Sequence, residues 1–371
     1  MVPSSPTLRK TTLNAWHRAN GGQMVESAGW EVPASYGHPA EEHLAVRGRA
    51  GLFDLGDTGL VELAGTDALA AIQAMTSNDA ARIRAGQIQQ SALTTRDGTF
   101  LDDLLVYRLA ASHFLLAVNG ANLRKDVAWI LDCVKTFGDV AVVDTSSRYA
   151  VVSLQGPASR EVVQALTGAD LESLEAWAFT YGEVAGARAT ISRILRCGED
   201  GFDVLVPPQS ALRVWQAILQ EGGDAGAVPA GRDALGTLRL EAGWRLYGAD
   251  IDETTTVLEA GLESIVAWDK GEFSGRAALA EQKATGLSRR LVGFEMLDAA
   301  VAERGCDAYV GGAKVGVVTS GAETPHLKKA IGLAYLPITH TEPGIEFDVD
   351  VHGRRARARV AALPFYQRPK G

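Results

Sequence analysis

The sequence predicts an α+β protein built on antiparallel sheets and ending in a small antiparallel β-barrel, and three observations carry that reading. Strands arrive as hairpins followed by amphipathic helices, as at residues 100–118 with the helix after Asn122. The regular strand and helix alternation of a parallel α/β sheet is missing. Beyond about Arg289 the texture changes to short strands and glycine turns, enough for a barrel of roughly 80 residues. The break falls near residues 283 to 290, giving domains at 1–285 and 290–371.

Taken in order, residues 11–50 are too irregular for one long helix, and a short helical stretch follows at 41–49. Leu52-Phe53-Asp54 and Leu60-Val61-Glu62-Leu63 read as strands, and residues 68–75 as a helix with Leu69, Ile72 and Met75 on one side. After Gly98 comes a strand paired with residues 114–118, then a helix capped by Asn122 with Leu123, Val127, Ile130 and Val134 in phase. The pattern repeats at 149–154, with Pro157 at a first helical position and a stop at Gly168. Residues 191–195 and 202–206 flank a turn at Gly198-Glu199-Asp200-Gly201. A helix at 210–219 places Leu212, Trp215 and Ile218 inward, and another runs from Arg232 to Ala242. In the barrel, Ile345, Phe347, Val349 and Val351 alternate up to a His352-Gly353 turn and return through Ala356, Ala358 and Val360.

At 371 residues, 46% hydrophobic and 22% charged, the chain has the composition of a folded soluble protein with ample buried volume. A net charge of -9 argues against nucleic acid or an anionic membrane as main partner. Cys133, Cys197 and Cys306 are widely spaced and odd in number, which fits a reducing compartment and gives no metal-ligand spacing. With no apolar signal core at residues 1–10 and no 18-residue apolar run, a cytoplasmic protein is expected.

The anomaly is Thr99-Phe100-Leu101-Asp102-Asp103-Leu104-Leu105-Val106-Tyr107, two carboxylates inside an apolar strand. Side chains alternate, so Asp102 and Asp103 face opposite ways and at most one enters a given cavity. Asp is costly to bury unpaired, so the pair needs solvent, a turn, or a chemical task. A buried Asp has its acidity weakened and can act as acid, base or partner of an amine. Spacing alone leaves this open against a merely solubilising strand edge.

Other motifs are weaker. No phosphate-cradling glycine loop is present. His38-Pro39-Ala40-Glu41-Glu42-His43 misses the metalloprotease spacing by one residue, and Pro39 breaks the helix that would align the histidines, so no metal is expected. Asp250, Asp252 and Glu253 read as a solvated acidic loop.

Read together, the motifs resemble the glycine cleavage T-protein family, the tetrahydrofolate-dependent aminomethyltransferases. They run in order from Trp16-His17, Gly21-Gly22 and Ala28-Gly29-Trp30 through Leu52-Phe53-Asp54, Leu101-Asp102-Asp103-Leu104, Leu154-Gln155-Gly156-Pro157 and Gly198-Glu199-Asp200-Gly201. Ala230-Gly231-Arg232-Asp233, Leu238-Arg239-Leu240-Glu241-Ala242-Gly243, Leu246-Tyr247-Gly248, Val318-Thr319-Ser320-Gly321 and Leu363-Pro364-Phe365 complete the series. The resemblance implies a three-part ring, two related α+β domains plus the barrel, around a central folate channel. It implies that Asp103 is the essential carboxylate near the reacting folate nitrogens, that Asn119 matches the family's asparagine after the next strand, and that Arg232 approaches the folate.

The sequence also departs from the family pattern. Arg196 stands where a tyrosine packs on the folate and Asp203 where a glutamate grips the pterin edge; Arg can still stack on a ring. The family's Phe-Asp-Val-Ser-His-Met has become Phe53-Asp54-Leu55-Gly56-Asp57-Thr58, changing the substrate side at Asp57 and Thr58. Tyr366 keeps a tyrosine near the tail. The chain therefore resembles a divergent member: a one-carbon transferase acting on a small donor with tetrahydrofolate as acceptor or co-substrate, and a lipoyl carrier protein as possible partner. The alternatives are a tetrahydrofolate-dependent N-, O- or S-demethylase, and a folate-binding accessory protein. Relatives of the last kind carry a Lys-Gly-Cys-Tyr-x-Gly-Gln-Glu motif that is missing here.

Overall fold

The computed structural model describes residues 7–368. The chain divides into two compact units. One runs up to Gly59 and resumes over Asp144–Gly236; the other comprises Leu60–Val143 and the chain from Thr237 onward.

The first unit is organised on a six-stranded sheet in the order Ala178–Val184, Ala187–Arg193, Gly201–Val206, Ala150–Gln155, Ala50–Asp54, Ala227–Pro229. Its pairs are antiparallel except the last, which is parallel. All six residues of Ala150–Gln155 are buried, the mark of a central strand covered on both faces. The core gathers Leu52, Val152, Leu154, Ile191, Phe202 and Val204 with Val162, Val163, Val214, Trp215 and Ile218 from two helices, Ser159–Ala165 and Ala211–Glu221. In the second of these the buried set is Ala211, Val214, Trp215 and Ile218, while Leu212, expected inward, is 44% exposed. The reason is geometric: steps of i+3, i+4 and i+7 hold one helical face, whereas the set 212, 215, 218 drifts across it. Pro39 likewise starts the helix Pro39–Gly48 instead of breaking it, leaving His38 outside as the flanking residue. The helix after Pro157 begins at Ser159.

In the second unit a five-stranded sheet runs in the order Ile88–Thr94, Phe100–Ala110, His113–Val118, Gly59–Ala64, Ala141–Asp144. The strand with the doubled Asp is central, antiparallel to both neighbours, with Asp103 opposite Ala92 and Leu104 opposite Val118. Helices Ala68–Met75 and Leu123–Cys133 contribute Ile72, Met75 and Ile130 to a core with Leu104, Val106, Phe114 and Leu116. A separate cluster joins Ala92 and Phe100 to Ile251, Val257, Phe273 and Leu279. Gly98, in the turn before this strand, has φ +76°, and a Cβ there would lie 2.7 Å from Leu279 Cγ, so the turn needs a residue without a side chain.

Residues 289–361 form a closed six-stranded barrel, antiparallel throughout, around Phe294, Val318, Leu336, Phe347, Val349 and Val360. Closure leaves no unpaired strand edge. Asp250 is not part of a solvated loop: it is 1% exposed. Its carboxylate accepts from Arg239 (2.5 Å), Leu246 N (2.9 Å), and Thr319 and Ser320 Oγ of the barrel (2.6 Å each). Four donors offset the cost of burying the charge.

Candidate functional site

The residues singled out from the sequence fall into several separate clusters, distributed over both units. In the second unit, Asp102 is fully buried and Asp103 half-buried on the central strand. Asn119 follows the strand His113–Val118, and the antiparallel pairing with Phe100–Ala110 brings it beside both carboxylates. Its Nδ2 donates to Asp102 Oδ1 at 2.7 Å and Asp103 Oδ1 at 2.9 Å, and its backbone N–H donates to Asp102 Oδ2 at 2.9 Å. Asn119 thus bridges two carboxylates that alternation had assigned to opposite faces.

Asn122 leads into the helix Leu123–Cys133 yet makes no side-chain cap; its Nδ2 donates instead to Asp102 Oδ1 at 2.7 Å. A buried carboxylate accepts a charge-assisted bond roughly twice as strong as a neutral one, so it outcompetes the helix amides. Beneath Asp102 lies Asp126, buried on the same helix, and burial together with the Asp102 charge pushes its carboxyl up to about 9. Lys125 Nζ donates to Leu101 O (2.8 Å), Tyr247 OH (2.8 Å) and Glu253 Oε1 (2.7 Å). The strand therefore presents one half-buried carboxylate, Asp103, backed by a fully engaged buried one. That arrangement suits binding an N–H group or taking its proton.

In the first unit, Arg232 opens the helix Arg232–Glu241 and pairs through Nη2 with Asp57 Oδ1. Both side chains stay part-exposed, and Thr58 follows in a turn closed by its N–H to Leu55 O at 3.0 Å. Arg196 and Asp203 meet each other: Nε and Nη2 donate to Asp203 Oδ2 at 2.9 and 2.7 Å, while Ser153 Oγ donates to Oδ1 at 2.6 Å. Asp203 faces Ser153 across the sheet. A third cluster supports this unit. His17 is fully buried, its Nε2 2.8 Å from Asp54 Oδ2 and its Nδ1 2.6 Å from Tyr36 OH, with Thr11 Oγ1 2.5 Å from the same Asp54 oxygen. Glu42 accepts from the backbone N–H of Tyr36 (2.6 Å) and of Gly231 (2.8 Å), fixing the approach to Arg232. Tyr366, in the second unit, packs edge-on against His326 with ring centroids 5.2 Å apart, and its N–H reaches Glu241 O at 2.8 Å.

Family models match both parts of the chain. One described as the GCVT N-terminal domain matches residues 13–270, and one described as the glycine cleavage T-protein C-terminal barrel domain matches residues 289–367. The chain belongs to the glycine cleavage T-protein family. An aminomethyltransferase of Desulfitobacterium hafniense is 41% identical over 361 residues, covering 97% of this chain and 99% of that one. One of Moorella thermoacetica is 42% identical over 363 residues, covering 98% and 99%. The crystal structure of glycine cleavage system aminomethyltransferase T from Bartonella henselae superposes with a TM-score of 0.91 at 29% identity, covering 97% and 98%. The chain is therefore not an especially divergent member, contrary to what its substitutions suggested.

Three side chains that hold the singled-out carboxylates Asp102 and Asp203 were missed in the sequence. Asn122 had the signature of a cap, Asp126 that of an ordinary polar position on an amphipathic helix, and Ser153 that of a strand residue. The doubled Asp was the available signal, since buried acids require donors nearby. Among the described residues no helix is long and apolar enough to cross a membrane.

Proposed function

We propose that this chain is a one-carbon transferase that moves an aminomethyl-type carbon from a small donor to tetrahydrofolate, with Asp103 hydrogen-bonding to or accepting a proton from the reacting amine. Family membership supports the class of reaction, and the curated relatives are named for aminomethyl transfer. One observation supports the role of Asp103: a half-buried carboxylate on a central strand, its Oδ1 held 2.9 Å from Asn119 Nδ2. Tetrahydrofolate, when bound, supplies the nitrogen that receives the carbon. The donor set suits it, with a carboxylate for ring N–H groups and a part-exposed guanidinium, Arg232, for planar or anionic groups.

In this reading Asn119, Arg196, Asp203, Arg232 and Tyr366 line the folate, and Asp57 and Thr58 face the donor. Arg196 and Asp203 act as a neutral pair, the guanidinium face stacking on the ring while Asp203 holds its edge. Asp57 competes with the folate for Arg232. In the same reading a lipoyl carrier protein is the partner that presents the small aminomethyl donor, and the setting is cytoplasmic. The proximity of donor and acceptor would contribute about 7–11 kcal/mol to the rate in favourable cases.

The test is turnover of Asp103→Asn with tetrahydrofolate and an aminomethyl-lipoyl carrier, measured beside a panel of methylated amines, ethers and sulfonium compounds. Loss of roughly 10²- to 10⁴-fold in kcat is expected, at retained folate affinity by calorimetry. Full turnover by the variant removes Asp103 from the mechanism. Reaction with the methylated panel alone would move the activity to demethylation.

A further inference from the structure

We infer that Asp126 and Asp102 share a single proton in the protein interior, and that Asp126, as its holder, is a positioning residue that fixes Asp103 through Asp102 and Asn119. The positioning role rests on the proposed function of Asp103; the shared proton does not.

The argument begins with an asymmetry of donors. Asp102 accepts three N–H bonds, from Asn119 N (2.9 Å), Asn119 Nδ2 (2.7 Å) and Asn122 Nδ2 (2.7 Å). Neither oxygen of Asp126 receives any donor, although the side chain is fully buried and hydrogen-bonds Asp102. Two ionised carboxylates are acceptors only and repel, so contact requires that one carry a proton. The proton belongs on the acid without donors, and Asp126 therefore donates its O–H to an ionised Asp102. Burial raises Asp102 as well, but its hydrogen bonds oppose that rise.

The consequence reaches Asp103 through one amide. Asn119 Nδ2 has two hydrogens, and Asp102 Oδ1 and Asp103 Oδ1 lie 2.7 and 2.9 Å from it. An ionised Asp102 compels the amide to present its nitrogen, never its oxygen, so the second hydrogen is always available to Asp103. The charged and titratable groups facing the pair are Asp103 on the strand, Lys125 on the helix of Asp126, and Tyr247, which also senses the Asp102 charge. Lys125 is held by Tyr247 and Glu253.

The sign of the pH effect follows. Burial first, then the Asp102 charge, pushes Asp126 up to about 9, whereas an unfolded Asp titrates near 3.9. Between those values the folded chain keeps a proton that the unfolded chain has released, so this group's contribution to stability falls as pH rises through the window. Asp126→Asn is neutral, isosteric and still able to donate to Asp102. Its melting temperature should exceed that of the wild type by a margin that widens from pH 5 to 9. Its kcat at neutral pH should stay within about twofold, whereas Asp126→Ala should lose roughly tenfold, the usual cost of removing an outer partner that orients a working group. The wild-type kcat should fall above about pH 9 as Asp126 ionises, and the Asn variant should lack that alkaline limb.

The decisive experiment measures melting temperature from pH 5 to 10 and kcat against pH for wild type, Asp126→Asn and Asp126→Ala, with Asp103→Asn in parallel. Infrared difference spectra of the wild-type protein add a signature independent of any variant's folding, a protonated-carboxyl C=O stretch that persists at neutral pH. Parallel stability curves for wild type and Asp126→Asn, or no such stretch, overturn the shared proton. An unchanged alkaline limb in Asp126→Asn overturns the positioning role. Full turnover in Asp103→Asn instead overturns the proposed function and the positioning role with it, while the melting curves still decide the proton.

Discussion

Removing Arg196 should expose how much the Arg196–Asp203 pair contributes. Asp203 has a side chain only 1% exposed, against 24% for Arg196, and both guanidinium contacts fall on one oxygen at 2.7 and 2.9 Å. Two unit charges about 4 Å apart attract by about 4 kcal/mol at the effective dielectric of such sites, before desolvation is subtracted. In Arg196→Met the carboxylate keeps Ser153 Oγ but loses its counter-charge, a change that costs about 3–5 kcal/mol in fully buried pairs. Water reaching the site through the space that Arg196 leaves part-open should lower that to about 2–3 kcal/mol. For a domain of this size the loss corresponds to roughly 5–10 °C in melting temperature. A double-mutant cycle with Asp203→Asn, followed by urea denaturation, should return a coupling of about 1.5–2 kcal/mol that changes little with added salt, because a buried pair is poorly screened. Additive losses, or an Arg196→Met variant within about 0.5 kcal/mol of wild type, would refute the reasoning.

Tyr36→Phe should destabilise by about 1–3 kcal/mol, because it strips His17 Nδ1 of its 2.6 Å partner inside a site where His17 is fully buried; urea denaturation reads it, and an unchanged midpoint would show that water replaces the hydroxyl. Gly98→Ala should cost at least about 1–3 kcal/mol by combining a strained positive φ with overpacking against Leu279, and a neutral result by thermal melting would mean that the turn relaxes.

What the sequence disclosed divides along a physical line. The hairpin of Phe100–Ala110 with His113–Val118 and the barrel strands Glu346–Val351 and Arg354–Ala361 were legible, because local turns and period-two alternation record such pairings within a dozen residues. The pairing of Ala50–Asp54 with Ala150–Gln155 left no local mark, because its partners lie about a hundred residues apart in the chain. Asp103 stood out as an anomaly of composition. Asn122 did not, since a cap and a ligand of a buried carboxylate share one residue type. Arg196 and Asp203 were each read against an expected ligand, whereas a charge buried next to another residue's charge answers to that partner first. Leu212 was misplaced because three-residue steps alone were followed, without the four-residue ones.

The threading of the chain has a consequence during synthesis. Strand Ala50–Asp54 emerges early, with all five residues destined for burial, yet its partners at Ala150–Gln155 and Ala227–Pro229 leave the ribosome only much later. Throughout that interval an apolar edge is unsatisfied while the intervening segment begins its own sheet. Nascent chains with such delayed, long-range pairings fold slowly and expose sticky edges. Yield in a cell should thus respond to translation speed and holdase supply more sharply than the finished molecule's stability would suggest, and fragments ending between residues 60 and 143 should be insoluble.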